Sequence, residues 1–287
     1  MIRRIHYLIW ATMQSLRFGA VKTTCPACGE SNSRIVRRKY GVTALRECGH
    51  CSIRFRTPRD APATADTFYA DEVYKQGFTT DLPSNAQLHS MLQSGFAGTE
   101  RDFSGYIEAL QASGLAAGAR ILDFGCSWGY GSWQMAQAGF DVFAYEIGRE
   151  RARYARDKLK CKVVENVRTL DRTIDCFFSA HVIEHLTDPT RLFDEARQTL
   201  RPGGLFFCYC PNGALEREEK HCSDYHRNWG KVHPLMITPA FMKREMERHG
   251  FTRCALFSSP VDSAAVKALT DGKLDGAELL VIARKQG

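Results

Sequence analysis

The chain has 287 residues, 44% of them hydrophobic and a quarter charged, with a formal net charge of +7. That is enough apolar side chain for one or two packed domains, and it excludes a disordered tail, a collagen-like repeat and a disulfide-dense miniprotein. The charge is uneven, because residues 1–60 carry twelve Lys and Arg against three acids. Such a segment attracts nucleic acid, anionic lipid or phosphorylated ligands, or else offsets the negative charge of a thiolate-bound metal.

Residues 1–20 mix Ile, Leu and Trp with Arg. The longest uncharged stretch, Ile5–Leu16, falls short of the ~20 apolar residues that span a bilayer, and it lacks a small-residue cleavage site. An amphipathic helix is expected here, docked on the protein or giving residues 1–18 a weak membrane association. There are eleven cysteines, an odd number. With no signal peptide, that argues for a reducing, cytoplasmic setting.

Residues 21–60 hold Cys25-Pro-Ala-Cys28 and Cys48-Gly-His-Cys51, nineteen residues apart. Each pair offers two thiolates from one tight turn, and two pairs at this spacing read as a zinc ribbon. All four ligands are sulfur, so the zinc is expected to be structural, stapling a module too small for a core of its own. Arg34–Arg37 and Val42–Arg46 are predicted to form its hairpin. His50 is expected to stay outside the coordination sphere.

Two prolines in Thr57–Pro62 mark a boundary. Residues 61–113 read as a linker or lid, with an aromatic run at Phe68–Tyr74 and helices over 87–93 and 100–110. From 114 to 287 strands and helices alternate. Strands are predicted at 120–124, 141–145, 162–164, 174–179, 205–210, 252–257 and 277–283. Helices are predicted at 149–159, 189–200 (stopped by Arg201-Pro-Gly-Gly204) and 239–249. The fold class is therefore α/β: a Rossmann-like, seven-stranded, mostly parallel sheet with helices on both faces, preceded by the ribbon.

Ile121-Leu-Asp-Phe-Gly-Cys-Ser-Trp-Gly-Tyr-Gly131 lies between the first strand and its helix. Its glycines permit a sharp turn and a close ligand approach. A dinucleotide pyrophosphate prefers a glycine loop without an adjoining acid. Asp123, two residues before the first glycine, instead favours a ligand with a cationic end. Glu146 ends the second strand, where a carboxylate can accept both ribose hydroxyls.

Ser179-Ala-His181-Val-Ile-Glu184-His185 follows the fourth strand, and open parallel sheets bind ligands beyond the carboxyl ends of their strands. If this turn is helical, His181 and His185 share a face. An unperturbed imidazole titrates near pH 6.5 and can take a proton from an acceptor, with Glu184 orienting it; the alternative is that these residues only fix a loop. The order His-x-x-Glu-His differs from the His-Glu-x-x-His of zinc proteases. A second polar run, His221–His233, offers Tyr225, His226, Trp229 and His233 as acceptor contacts or as a solvated loop.

These stretches, together with Leu200–Asn212 and Val232–Phe251, resemble class I S-adenosylmethionine-dependent methyltransferases of the branch that includes ubiquinone-biosynthesis-type enzymes. The resemblance spans residues 119–285. It implies that Asp123, Gly125 and Gly129 line the methionine end of the cofactor, that Glu146 holds the ribose, that Ile147 packs on the adenine and that Asn166 edges it. Ser179 belongs to the same cofactor set. Ser127 stands where many members carry Gly, which puts its backbone angle in question. The ribbon, aromatic linker and catalytic domain in series are also similar to sugar C-methyltransferases, in which the counterpart of His185 is implicated as a base; those enzymes carry a further C-terminal domain absent from this sequence.

Methyl transfer to a small-molecule or glycan acceptor is the reading these features favour, with a nucleotide-linked sugar as one form of acceptor. An RNA methyltransferase using the basic ribbon is the alternative, although no Asn-Pro-Pro-Tyr-like motif follows the fourth strand. A non-catalytic S-adenosylmethionine-binding module is the third.

Overall fold

The computed structural model describes residues 23–59 and 79–287, together with positions 5, 8, 9, 12 and 13. The aromatic run Phe68–Tyr74 lies outside the described residues. The five N-terminal positions are helical. Among the described residues, no helix is long and apolar enough to cross a membrane.

The ribbon is a meander of β1 (Ser33–Lys39), β2 (Thr43–Cys48) and β3 (Arg54–Thr57). Tyr40 and Gly41 both take positive φ between β1 and β2, the turn geometry that matches strand twist. The hairpin falls where the sequence predicts it. β3 is not predicted, because three of its four residues, Arg54, Arg56 and Thr57, are polar; all four residues are buried. A fourth strand comes from far downstream: β9 (Leu235–Met236) pairs antiparallel with β3 through Arg54↔Met236 and Phe55↔Leu235.

The large sheet has the order β10-β11-β8-β7-β4-β5-β6. Its strands are β4 (Arg120–Phe124), β5 (Asp141–Tyr145), β6 (Lys162–Val163), β7 (Ile174–Ala180), β8 (Leu200–Pro211), β10 (Phe251–Ser258) and β11 (Glu278–Lys285). Strands β6, β5, β4, β7 and β8 are parallel to one another, and β11 runs antiparallel to both β8 and β10. The expected sheet is thus present. One boundary moves: β8 begins at Leu200, so Arg201–Gly204 lies inside a strand rather than in a loop after the helix. Its pairing with β7 is irregular there, between Ile174 and Cys176, which is how the strand accommodates Pro and two glycines.

The sheet is buried on both faces. On one, Leu192, Phe193 and Ala196 of a helix at Thr190–Thr199 and Phe241, Met242 and Met246 of a helix at Pro239–Arg248 pack on Phe177, Phe206 and Val281. On the other, Leu110, Met135 and Val266 pack on Ile121, Phe178 and Phe207. The ribbon's Cys25, Cys48, Cys51, Ile53 and Phe55 belong to the first of these cores, so ribbon and sheet share one hydrophobic interior.

Polar contacts reinforce that junction. Arg54, 3% exposed, donates to Glu47 at 2.7 Å, to Glu218 at 2.7 Å and to the Tyr225 hydroxyl at 2.6 Å. Arg37 pairs with Glu218 at 2.6 Å, and Lys39 donates to the Trp229 carbonyl while its ammonium lies 4.4 Å from the Trp229 ring centre. Removing one member of a buried ion pair strands the other charges, at a cost of about 3–5 kcal/mol. Arg54→Ala is therefore expected to lower the urea midpoint by a stability loss of that size. An unchanged midpoint shows that the network adds nothing to the junction.

Candidate functional site

Of the predicted site residues, Asp123–Gly129, Glu146–Ile147 and Ser179–His185 lie at the carboxyl ends of β4, β5 and β7, as the sheet topology requires. Asp123 is the penultimate residue of β4 and is 3% exposed. It accepts a 2.5 Å hydrogen bond from the Ser132 hydroxyl. Burial, with a smaller contribution from the Glu146 charge, pushes its pKa up to about 7 against the downward pull of that bond. Among the described residues the buried carboxyl has no cationic partner.

After Asp123 the chain turns through two left-handed glycines, Gly125 (φ +88°) and Gly129 (φ +89°). A Cβ on Gly125 would sit 2.3 Å from the Val182 side chain, and one on Gly129 2.7 Å from that of Ala155. Only glycine meets both the angle and the space. Ser127 occupies the left-handed region with φ +52°, so the loop closes with serine where glycine is common. Its amide donates to Glu146 at 3.0 Å.

Glu146 follows β5. Its other oxygen accepts from the Gly148 amide at 2.7 Å and from Arg151 at 2.8 Å. The carboxylate therefore ties the glycine loop to the turn after β5, and any ribose must share it with these donors. Ile147, 42% exposed, presents an uncovered apolar surface beside it. Asn166 is used locally: its side-chain carbonyl accepts from the Arg168 amide at 3.0 Å and caps a short 3-10 turn at Val167–Leu170. Ser179 is fully buried near the end of β7, and its hydroxyl has no partner among the described residues.

A second group lies past β7. His181 has φ +56°, and only Ile183–His185 forms a helical turn, a 3-10 one. The two histidines therefore flank Glu184 instead of lining a common α-helical face. His181 Nδ1 is 3.3 Å and His185 Nε2 3.9 Å from Glu184 Oε1. His181 Nε2 also meets Glu278 Oε1 at 2.6 Å, and the Tyr106 hydroxyl donates to that oxygen at 2.9 Å. Burial alone would lower the His181 pKa, but Glu184 and Glu278 raise it to about 10. His185 goes the other way: burial, only partly opposed by Glu184, lowers it to about 4 and leaves it neutral. Burial would raise Glu184, but His181 and then His185 hold it down to about 2.

Tyr106 and Glu278 are members of this group that sequence reasoning missed. Glu278 has a weak signal, as a lone acid opening the apolar run Leu279–Ala283; Tyr106 has none, being one of several scattered aromatics.

His233 joins the group, its ring centre 4.8 Å from that of His185. Tyr225 and Trp229 lie elsewhere: both are 1% exposed and pack with Leu45 and Met236 beneath the ribbon. His226 stands edge-on to Trp229 at 5.4 Å. Only His233, of the four residues expected at the acceptor, stands beside His185.

The four ribbon sulfurs lie within 4.8 Å of one another. Cys25 and Cys51 are 3.5 Å apart, and Cys28 and Cys48 are 3.6 Å apart. A tetrahedral zinc with bonds of ~2.3 Å has sulfur edges of roughly 3.8 Å, so the set fits such an ion. The amides of Ala27 and His50 point to Cys25 and Cys48 sulfurs at 3.4 Å.

Residues 99–255 match the family described as a methyltransferase domain. A protein of Mycolicibacterium smegmatis, named a probable S-adenosylmethionine-dependent methyltransferase, is 33% identical over 101 residues, covering 33% of this chain and 39% of its own length. The ubiquinone biosynthesis O-methyltransferase of Xanthomonas oryzae pv. oryzae is 34% identical over 101 residues, covering 32% of this chain and 42% of its own. The matches thus span about two fifths of these relatives. In fold, the chain is similar to a chain from the complex of the Haloferax volcanii Trm112 methyltransferase activator with a methyltransferase. The TM-score is 0.50 at 17% identity, covering 70% of this chain and 96% of that one.

Proposed function

The chain belongs to the methyltransferase-domain family, and from that premise we propose that it is an S-adenosylmethionine-dependent methyltransferase acting on a small-molecule or glycan acceptor, such as a nucleotide-linked sugar. One observation carries the reading. A buried carboxyl without a cationic partner among the described residues, Asp123, guards a glycine turn that no larger residue could form, with Glu146 one strand away. S-adenosylmethionine, when bound, supplies an electrophilic methyl on a sulfonium. Asp123, Gly125, Ser127 and Gly129 would hold its methionine end, Glu146 its ribose, and Ile147, Asn166 and Ser179 the remainder.

On the acceptor side we assign His181, Glu184, His185 and His233. Neutral His185 can accept a proton, while cationic His181 is held between Glu184 and Glu278. The protein's main contribution is alignment, with reacting atoms at about 3–3.5 Å. We assign the four ribbon cysteines to one structural zinc. The other seven cysteines are free thiols, and we place the chain in a reducing, cytoplasmic setting.

RNA binding by the basic ribbon is the weaker reading, because Arg37, Lys39 and Arg54 are engaged with Glu218, Trp229 and Tyr225 inside the protein. The test is radiolabelled methyl transfer by the zinc-loaded chain to hydroxylated small molecules, sugar nucleotides and structured RNA. Labelling of a small acceptor is expected. Labelling of RNA alone, with binding that falls steeply with salt, overturns the acceptor class, and binding of the cofactor with no labelled product supports a non-catalytic module.

A further inference from the structure

Glu184, His185 and His233 each offer one ligand atom, and the three atoms lie within 4.8 Å of one another. They come from separate parts of the chain: Glu184 and His185 from the turn after β7, and His233 from the loop just before β9. Each histidine is oriented from behind. His185 Nδ1 meets the Val232 carbonyl at 2.9 Å, and His233 Nδ1 meets the Asn228 carbonyl at 2.7 Å. A carbonyl only accepts, so both Nδ1 atoms carry hydrogen and Nε2 is left as the ligand atom. This backbone anchoring is the arrangement that fixes the tautomer of metal-binding histidines.

Glu184 adds an independent sign. It is fully buried, and among the described residues neither of its oxygens receives a hydrogen bond. His181, at 3.3 Å, supplies charge without hydrogen-bond geometry. A buried carboxylate normally accepts hydrogen bonds from two or more donors, and the charge of His181 leaves both Glu184 oxygens without one among the described residues.

We propose that Glu184, His185 and His233 form a binding site for one divalent transition-metal ion, separate from the ribbon zinc and placed on the acceptor side of the sheet. Two imidazoles and one carboxylate leave coordination positions open, a set suited to Fe(II), Mn(II), Co(II) or Zn(II). Such ions hold nitrogen and oxygen at about 2.0–2.2 Å, so the donors close by roughly 1 Å on loading. The inference rests on the methyltransferase reading only for its consequence: the acceptor presents an oxygen to the ion. In the loaded site His185 is a ligand and no longer the proton acceptor, so that oxygen loses its proton to water, its electron pair forms the O–CH3 bond, and the C–S bond electrons return to sulfur.

Manganese tests the site, because Mn(II) does not favour the four thiolates. The full zinc-loaded chain is titrated with MnCl2, and the signal of free Mn(II) is followed by electron paramagnetic resonance. One Mn(II) per chain is expected to bind. Glu184→Gln and His233→Ala are each expected to weaken it at least about a hundredfold, since loss of an outer-shell partner alone costs 10–100-fold. Zinc content and thermal melting report whether each variant folds; if Glu184→Gln does not, His233→Ala decides.

No uptake of Mn(II), or uptake undiminished in His233→Ala, overturns the site. Calorimetry with S-adenosylhomocysteine on the same samples separates the two readings. Cofactor binding without manganese sinks only the metal site, whereas manganese binding without cofactor sinks the methyltransferase reading and leaves the site standing.

Discussion

Asp123→Asn is expected to weaken S-adenosylhomocysteine binding at least about thirtyfold while making the ligand-free protein more stable at alkaline pH. Both effects come from one buried group. In the folded chain Asp123 titrates near 7, against an ordinary value of 3.8, chiefly because burial disfavours its charge. A raised acid opposes folding once it must ionise. The penalty is absent below the unfolded pKa, grows as pH climbs past 3.8 and is complete above about 7. At its largest it is on the order of 4 kcal/mol.

Asparagine keeps an acceptor for Ser132 and removes the charge. Urea denaturation should show the variant gaining stability over the wild type at pH 8 and losing that advantage near pH 4. The cationic amino end of the ligand relieves the penalty in the wild type. Truncating one partner of such a buried pair costs about 2–5 kcal/mol, a loss of at least roughly thirtyfold in affinity. Calorimetry at pH 8 that finds unchanged affinity removes Asp123 from the cofactor site. Equal stability of the two proteins at pH 8 means that the carboxyl is not strained by burial.

Removing the zinc that we assign to the ribbon is expected to disable the acceptor side of a domain whose first strand begins at Arg120. Structural zinc in small modules contributes about 10–16 kcal/mol at neutral pH, so the ribbon is not expected to hold its fold without the ion. The damage does not stop there. β9 is hydrogen-bonded to β3, the Thr238 hydroxyl donates to the Ser52 carbonyl at 2.9 Å, and Arg54 holds Glu218 and Tyr225. His233 stands two residues before β9.

A strong chelator should therefore release one tightly held zinc and collapse the melting temperature. It should also raise amide exchange across residues 222–238 well before exchange rises in β4 and β5. Methyl transfer should be lost with the zinc. A stripped protein that keeps its melting temperature and its exchange protection in 222–238 shows that the ribbon is an appendage rather than a brace.

Local sequence carried a large part of this structure. Strand β4, the glycine turn and the acid before it are adjacent residues, and left-handed glycines with no room for a Cβ leave one way to fold. The four cysteines are legible for the same reason: two turns at ribbon spacing bring four sulfurs within reach of a single ion. Continuous apolar runs such as Leu205–Cys210 announce strands buried on both faces.

Charge-rich β3 escaped notice because Arg54 is buried against Glu218 and Tyr225, which lie far away in sequence. Tyr225 and Trp229, expected at the acceptor, pack under the ribbon instead, since a single sequence does not say which face of a loop is covered. Likewise the extension of β8 back to Leu200 depends on its pairing with β7, which can accept an irregular stretch containing Pro202.

By itself, then, the sequence determined the sheet, the glycine turn with Asp123 and Glu146, and the four-sulfur module, since each is written in neighbouring residues or in a short periodicity. Tertiary structure alone decided that the ribbon shares a core with the sheet, that Glu278 and Tyr106 stand beside His181, and that His233 meets His185 and Glu184. Those contacts join residues from 48 to more than 170 positions apart, and only the packing of the sheet and its crossovers brings such groups together.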